Sequence, residues 1–98
     1  MDEQTRLELL KRELMAAGSS IYDALLKMQL KSAEKAIQIE GIELDLENEV
    51  FDNQLVIGYA AWLFRQRENP EMPMPKWLRW NMNNKLFSQH ARRGMTND

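Results

Sequence analysis

The chain contains no cysteine, which excludes a disulfide framework, a thiolate zinc site and a cysteine nucleophile. Histidine is nearly absent too: His90 is the single one, and no serine and aspartate stand in a pattern that would make it the base of a triad. The four glycines form neither a Walker loop nor a dinucleotide-binding loop, so a phosphate cradle is missing. Positive charge is not in excess, since the formal net charge is -2, and this argues against a globally basic nucleic-acid binder. No apolar run is of membrane length. The longest, Leu55 to Phe64, would span about 15 Å as a helix against roughly 30 Å of bilayer interior. No signal-peptide pattern is present, so folding in the cytosol and no membrane partner are expected. Acid pairs such as Asp45 with Glu47, or Glu47 with Glu49, lack metal-ligand spacing and read as a solvated loop. No catalytic, cofactor-binding or metal-binding residue is therefore expected, and no enzyme.

What is present is organised around the stretch from Leu55 to Phe87. Its first part, Leu55-Val56-Ile57-Gly58-Tyr59-Ala60-Ala61-Trp62-Leu63-Phe64, has no polar face, and a helix apolar all round is expected to be buried all round. Gly58 inside it costs on the order of 1 kcal/mol relative to alanine, which predicts the close approach of another helix there. Pro70, Pro73 and Pro75 then forbid continuation, and Pro75 suits the first position of a new helix running to about Gln89. On that last helix Leu78, Met82 and Leu86 form one stripe, whereas Trp77, Trp80, Asn84 and Phe87 fall on a different side. One stripe suffices for docking within the domain. The aromatic side is surplus, and a surplus aromatic face on a small protein points to a partner.

Upstream, Leu7, Leu10 and Leu14 give a helix over Glu3 to Ala17, closed by Gly18. Ser20 with Asp23 reads as the capped start of a second helix. Its buried face is Tyr22, Leu26, Leu30, Ala33 and Ile37, flanked by Leu25 and Ala36, and Glu40-Gly41 ends it. The alternation Ile42-Glu43-Leu44-Asp45-Leu46 has the period of an extended segment but no second run to pair with, so it reads as a connection. Asp45 or Asn48 can cap a third helix over about Glu49 to Arg67. The fold class is all-α, a small four-helix bundle. Residues 1–90 make a single domain, and 91–98 a flexible basic and polar tail.

Charge is segregated along the chain. From Glu34 to Asp52 seven acids stand against Lys35 alone, while from Lys76 to Arg93 five bases (Lys76, Arg79, Lys85, Arg92, Arg93) stand against no acid. Such patches either meet head to tail in neighbouring copies or form two solvated faces. Interleaving of these bases with Trp77, Trp80 and Phe87 also admits a second function, a small helical nucleic-acid-binding regulator that stacks bases on its last helix.

The order Tyr59-Ala60-Ala61-Trp62-Leu63-Phe64-Arg65, a proline-containing turn, then Met74-Pro75-Lys76-Trp77-Leu78-Arg79 and Asn83-Asn84-Lys85-Leu86-Phe87 resembles the head-tail connector, or adaptor, proteins of long-tailed bacteriophages. Leu30-Lys31-Ser32-Ala33-Glu34-Lys35-Ala36-Ile37 resembles that family's second helix, so the likeness covers roughly Leu25 to Gln89, and Met1 to Ser20 departs from it. The resemblance implies a structural subunit of the virion at the head-tail junction. It would assemble with neighbouring copies as a ring, a dodecamer in the mature particle, beneath the portal protein. There it would bridge to a stopper, or head-completion, protein around a channel that passes DNA without sequence specificity. The interface residues it implies are Met74, Lys76, Trp77, Arg79, Trp80, Asn84, Lys85, Phe87, Arg92 and Arg93; the charge segregation adds Glu43, Asp45, Glu47 and Glu49 as a complementary acidic patch. A segment that orders only on docking leaves the isolated chain a monomer or weak oligomer.

Overall fold

The computed structural model describes residues 1–96, with side chains through Arg92. Four helices follow one another: α1 (Glu3–Glu13), α2 (Asp23–Ile39), α3 (Val50–Gln66) and α4 (Lys76–Thr96). No strand occurs among the described residues, and the all-α bundle expected from the periodicity is the architecture found.

α3 packs against each of the other three helices, α1 packs against α2, and α4 lies chiefly on α3. Leu7 and Leu10 of α1, Leu26, Leu30, Ala33 and Ile37 of α2, Leu55, Val56, Ala60 and Ala61 of α3, and Leu78 and Met82 of α4 form one buried core with Ile42. The central helix is nevertheless not sealed all round. Ile57, Gly58, Tyr59, Trp62, Leu63 and Phe64 are only half-buried. The molecule measures 52 × 31 × 18 Å, and its thin dimension holds about two helices of roughly 10 Å diameter, too few to surround a third. Part of that flank, at Trp62, is covered by the turn that follows α3. The Trp62 indole N–H donates to the Met72 carbonyl at 3.0 Å, which satisfies its polar edge while the ring packs.

Both ends of the first connection differ from the sequence-based expectation. α1 stops before Gly18: the Met15 N–H donates to the Arg12 carbonyl and the Ala16 N–H to the Lys11 carbonyl. That is the pair of bonds of a Schellman cap, with Met15 at the left-handed position, φ 58°. Ser20 does not cap α2. The helix begins at Asp23 behind Tyr22 with no side-chain cap, and the Asp23 carboxylate is held by Lys11 Nζ at 3.0 Å. An acid in the first turn complements the helix dipole in place of the hydroxyl.

Gly41 closes α2 as expected, at φ 101°, a conformation that favours glycine. The residues after it form an extended strap whose alternation has a clear physical meaning. Ile42 is buried and Leu44 and Leu46 half-buried, while Glu43, Asp45 and Glu47 face outward. No strand is needed to satisfy its backbone at Glu43. The Gln89 side-chain amide of α4 accepts from the Glu43 N–H and donates to the Glu43 carbonyl, both at 3.0 Å.

Neither Asp45 nor Asn48 caps α3 itself, because Asp45 accepts from the Asn48 N–H at 3.2 Å within the turn before it. At the far end, the last helix does not stop near Gln89 but continues to Thr96, and Asn97 and Asp98 lie outside the described residues.

Met15 is 94% exposed, so its side chain adds no packing to offset the left-handed backbone, and glycine would keep the two cap bonds without that cost. Met15→Gly is expected to stabilise the protein by about 1 kcal/mol, read as a rise in Tm of roughly 4–8 °C in a thermal melt.

Candidate functional site

α4 carries two apolar faces, and only one is used inside the molecule. The stripe expected to dock it does so: Leu78 and Met82 are fully buried and Leu86 packs against the core. Gln89, one further step along the same stripe, is buried at 8% exposure through its bonds to Glu43. The other face stays outside, with Trp77 48%, Trp80 68% and Phe87 77% exposed and Asn84 between them, exposed as well. Exposure of three large aromatics on one helix is the kind of contiguous apolar surface that a lone soluble domain rarely presents.

Trp77 is positioned by Gly58. A Cβ built on Gly58 would lie 2.4 Å from the Trp77 ring, so the indole rests directly over the α3 backbone. The close approach predicted at Gly58 is therefore real, and a side chain rather than a second helix backbone makes it. Beside it an open groove of about 630 Å³ is lined by Met74, Lys76, Trp77, Arg79, Trp80 and Asn83. The turn that forms its end is tied to α3: besides the Trp62 bond, the Gln66 side chain donates to the Pro70 and Met72 carbonyls, each at 3.5 Å. Met74 is left half-buried at the groove's edge.

The charged residues require a correction to the expected interface. Arg79 and Lys85 do not wait for a neighbour. Arg79 grips Glu40 at the end of α2 through two bonds, 2.7 and 3.2 Å. This bond to the carboxylate raises the guanidinium pKa above its ordinary value. The nearby Tyr59 phenol is also pushed up, by burial first and by Glu40 second.

Lys85 reaches Asp52 at 2.7 Å, with side-chain exposures of only 17% and 2%. The other Asp52 oxygen accepts from the Asp45 N–H at 2.8 Å. Beside it Asn53 is buried too, donating to the Leu46 and Glu49 carbonyls and accepting from Arg6. So Arg79 and Lys85 of the basic run pair with Glu40 and Asp52 of the acidic run within one chain.

The central acids Glu43, Asp45, Glu47 and Glu49 keep exposed side chains. Asp45 is held below its ordinary pKa of 3.8, chiefly by the Asn48 side chain and then by the Asn48 N–H. A carboxylate lowered in this way contributes its stabilisation in full above its unfolded value of about 4 and loses it as pH falls through the lowered value.

On α4, Lys76 and Arg92 are exposed cations, and the side chain of Arg93 lies outside the described residues. Two exposed cations offer few phosphate contacts, which weakens the nucleic-acid reading. Among the described residues there is no group of three or more residues able to hold a metal ion, and no helix long and apolar enough to cross a membrane. Comparison with protein-family models, curated proteins and solved structures finds no match to the chain.

Sequence reasoning missed Asp52, Asn53 and Gln89 as buried polar anchors. A signal existed for part of this: Arg79 and Lys85 flank the Leu78–Met82 stripe, one on each side, which is where long side chains reach inward to partners.

Lys85→Met keeps the length of the side chain but leaves the Asp52 carboxylate buried without its cation. The expected loss is about 3 kcal/mol, measured by urea unfolding. Lys76→Met, at an exposed position on the same helix, is expected to change stability by less than about 0.5 kcal/mol.

Proposed function

We propose that this chain is an assembly subunit whose last helix closes its own bundle with one face and docks another polypeptide with the other. In its specific form it is a phage head-tail connector: a ring-forming subunit at the head-tail junction of the virion that binds the portal protein, bridges to a stopper protein and surrounds passing DNA. The observation that carries the reading is the exposure of Trp80 and Phe87 on the side of α4 away from Leu78 and Met82. The likeness of the segment from Leu55 to Gln89 to connector sequences supplies the identity of the partner. The all-α fold is compatible with it.

The energetic argument is direct. Fully burying a Trp or Phe ring that is mostly exposed in the isolated chain contributes on the order of 1.5–3 kcal/mol at about 25 cal/mol per Å². Trp80 and Phe87, with the uncovered part of Trp77, supply the desolvated centre that interface hot spots require. Lys76 and Asn84 provide polar groups at the rim of that centre.

Trp80→Ala combined with Phe87→Ala is expected to leave the far-UV helical signal intact and to shift stability by less than about 1 kcal/mol, since both rings are solvent-facing. The same variant is expected to be lost from purified particles and from portal pull-downs. Unfolding of the double variant, or its normal incorporation, would remove the basis of this reading.

A further inference from the structure

On the reading above as an assembly subunit, the open groove beside Trp77 needs an occupant, and this chain carries a surface that matches it. The groove is lined by two indoles and Met74, with Lys76 exposed at its rim. The matching feature is apolar and acidic: at the start of α3, Val50 is 63% and Phe51 41% exposed, next to exposed Glu47 and Glu49.

The two surfaces leave the molecule in different directions. The Phe51 ring lies 6.0 Å from Lys85 Nζ. Lys85 follows Trp80 by five positions, so at about 100° per residue it projects from α4 roughly 140° away from Trp80. One chain cannot bring its own Val50 to its own groove.

Pairing the aromatic faces of two α4 helices about a twofold axis is the main rival. Lys76 is the exposed cation beside the Trp77–Trp80 end of that face and α4 carries no acid, so a pair of these faces brings no opposite charge together along the two α4 helices. Opposite charge favours the unlike contact.

We propose that the groove formed by Met74, Trp77 and Trp80 receives the Glu47–Phe51 corner of a second copy, a head-to-tail contact between two different surfaces of the same chain. Each contact leaves the pair with one free groove and one free corner, so association propagates until it closes on itself. Because the contact is small and has a charged rim, it is weak, concentration-dependent and reduced by salt.

Two variants test it in analytical ultracentrifugation at rising protein concentration: Trp80→Ala, which spoils the groove, and Val50→Lys, which spoils the corner. Both residues are exposed, and circular dichroism checks that each variant is folded. The wild-type chain is expected to sediment as progressively larger species, and each variant alone as a monomer. An equimolar mixture of the two is expected to form a dimer and nothing larger, because it holds one intact groove facing one intact corner. A wild-type chain that stays monomeric overturns the proposal, as does loss of association in Trp80→Ala with full association in Val50→Lys. If either happens while wild-type chain still enters particles and Trp80→Ala/Phe87→Ala does not, the groove serves a different polypeptide and the assembly reading stands without the self-contact.

Discussion

The Asp52 carboxylate joins three parts of the chain at one buried point: its own position in the first turn of α3, the Asp45 N–H of the strap at 2.8 Å, and Lys85 of α4 at 2.7 Å. That junction decides which way α4 faces. The helix has an aliphatic face and an aromatic face, and the aromatic one offers more apolar area. Hydrophobic burial is non-directional and by itself would favour rolling α4 so that Trp80 and Phe87 point inward. Rolling it would pull Lys85 from Asp52, Arg79 from Glu40 and Gln89 from the Glu43 backbone together. A buried carboxylate stripped of its cation costs several kcal/mol, and two unpaired backbone groups add more. The polar contacts thus select the orientation, while Leu78 and Met82 supply the burial.

The strap depends on the same contacts. An isolated extended segment leaves its backbone donors and acceptors without a ladder, and in a helical protein there is no neighbouring strand to supply one. Gln89 takes over that role at Glu43, and Asp52 accepts from Asp45. With its backbone satisfied there, the strap can place Ile42 in the core and still show its acids to solvent. One set of side chains therefore presents two outer surfaces: an acidic edge and, across α4, an aromatic one.

The local rules of the chain were legible wherever periodicity or glycine chemistry decides the outcome. The stripe of Leu78, Met82 and Leu86, the α2 core at Leu26, Leu30, Ala33 and Ile37, the closure at Gly41 and the crowding at Gly58 follow from spacing and from the absence of a Cβ, whereas Tyr22, expected on the same buried face, lies before the helix and is 43% exposed. Three features were not legible. The end of α1 rests on a methionine in a conformation that favours glycine, so the residue type gave no warning and Gly18 misled. The block from Leu55 to Phe64 is apolar throughout, yet whether a helix is sealed depends on how many others can surround it, a property of the whole assembly of elements. The pairing of Arg79 with Glu40 and of Lys85 with Asp52 joins residues more than thirty positions apart. Charge counting along the sequence finds both runs but not which members lie at the flanks of a buried stripe.

The same geometry bears on why the aromatic face is not simply lost to the interior of a thicker bundle. In a body only 18 Å thin, α4 can be covered on one side alone, so whatever lies on its other side meets solvent or another molecule. Single exposed apolar residues are ordinary, but Trp77, Trp80 and Phe87 are concentrated on one side of one helix whose roll is fixed by buried polar contacts. Fixing the roll also lowers the entropy lost when that face is covered, because the rings are already carried on a helix that cannot turn away. The interior polar junction and the exterior apolar surface are therefore parts of a single arrangement: the first holds the second outward.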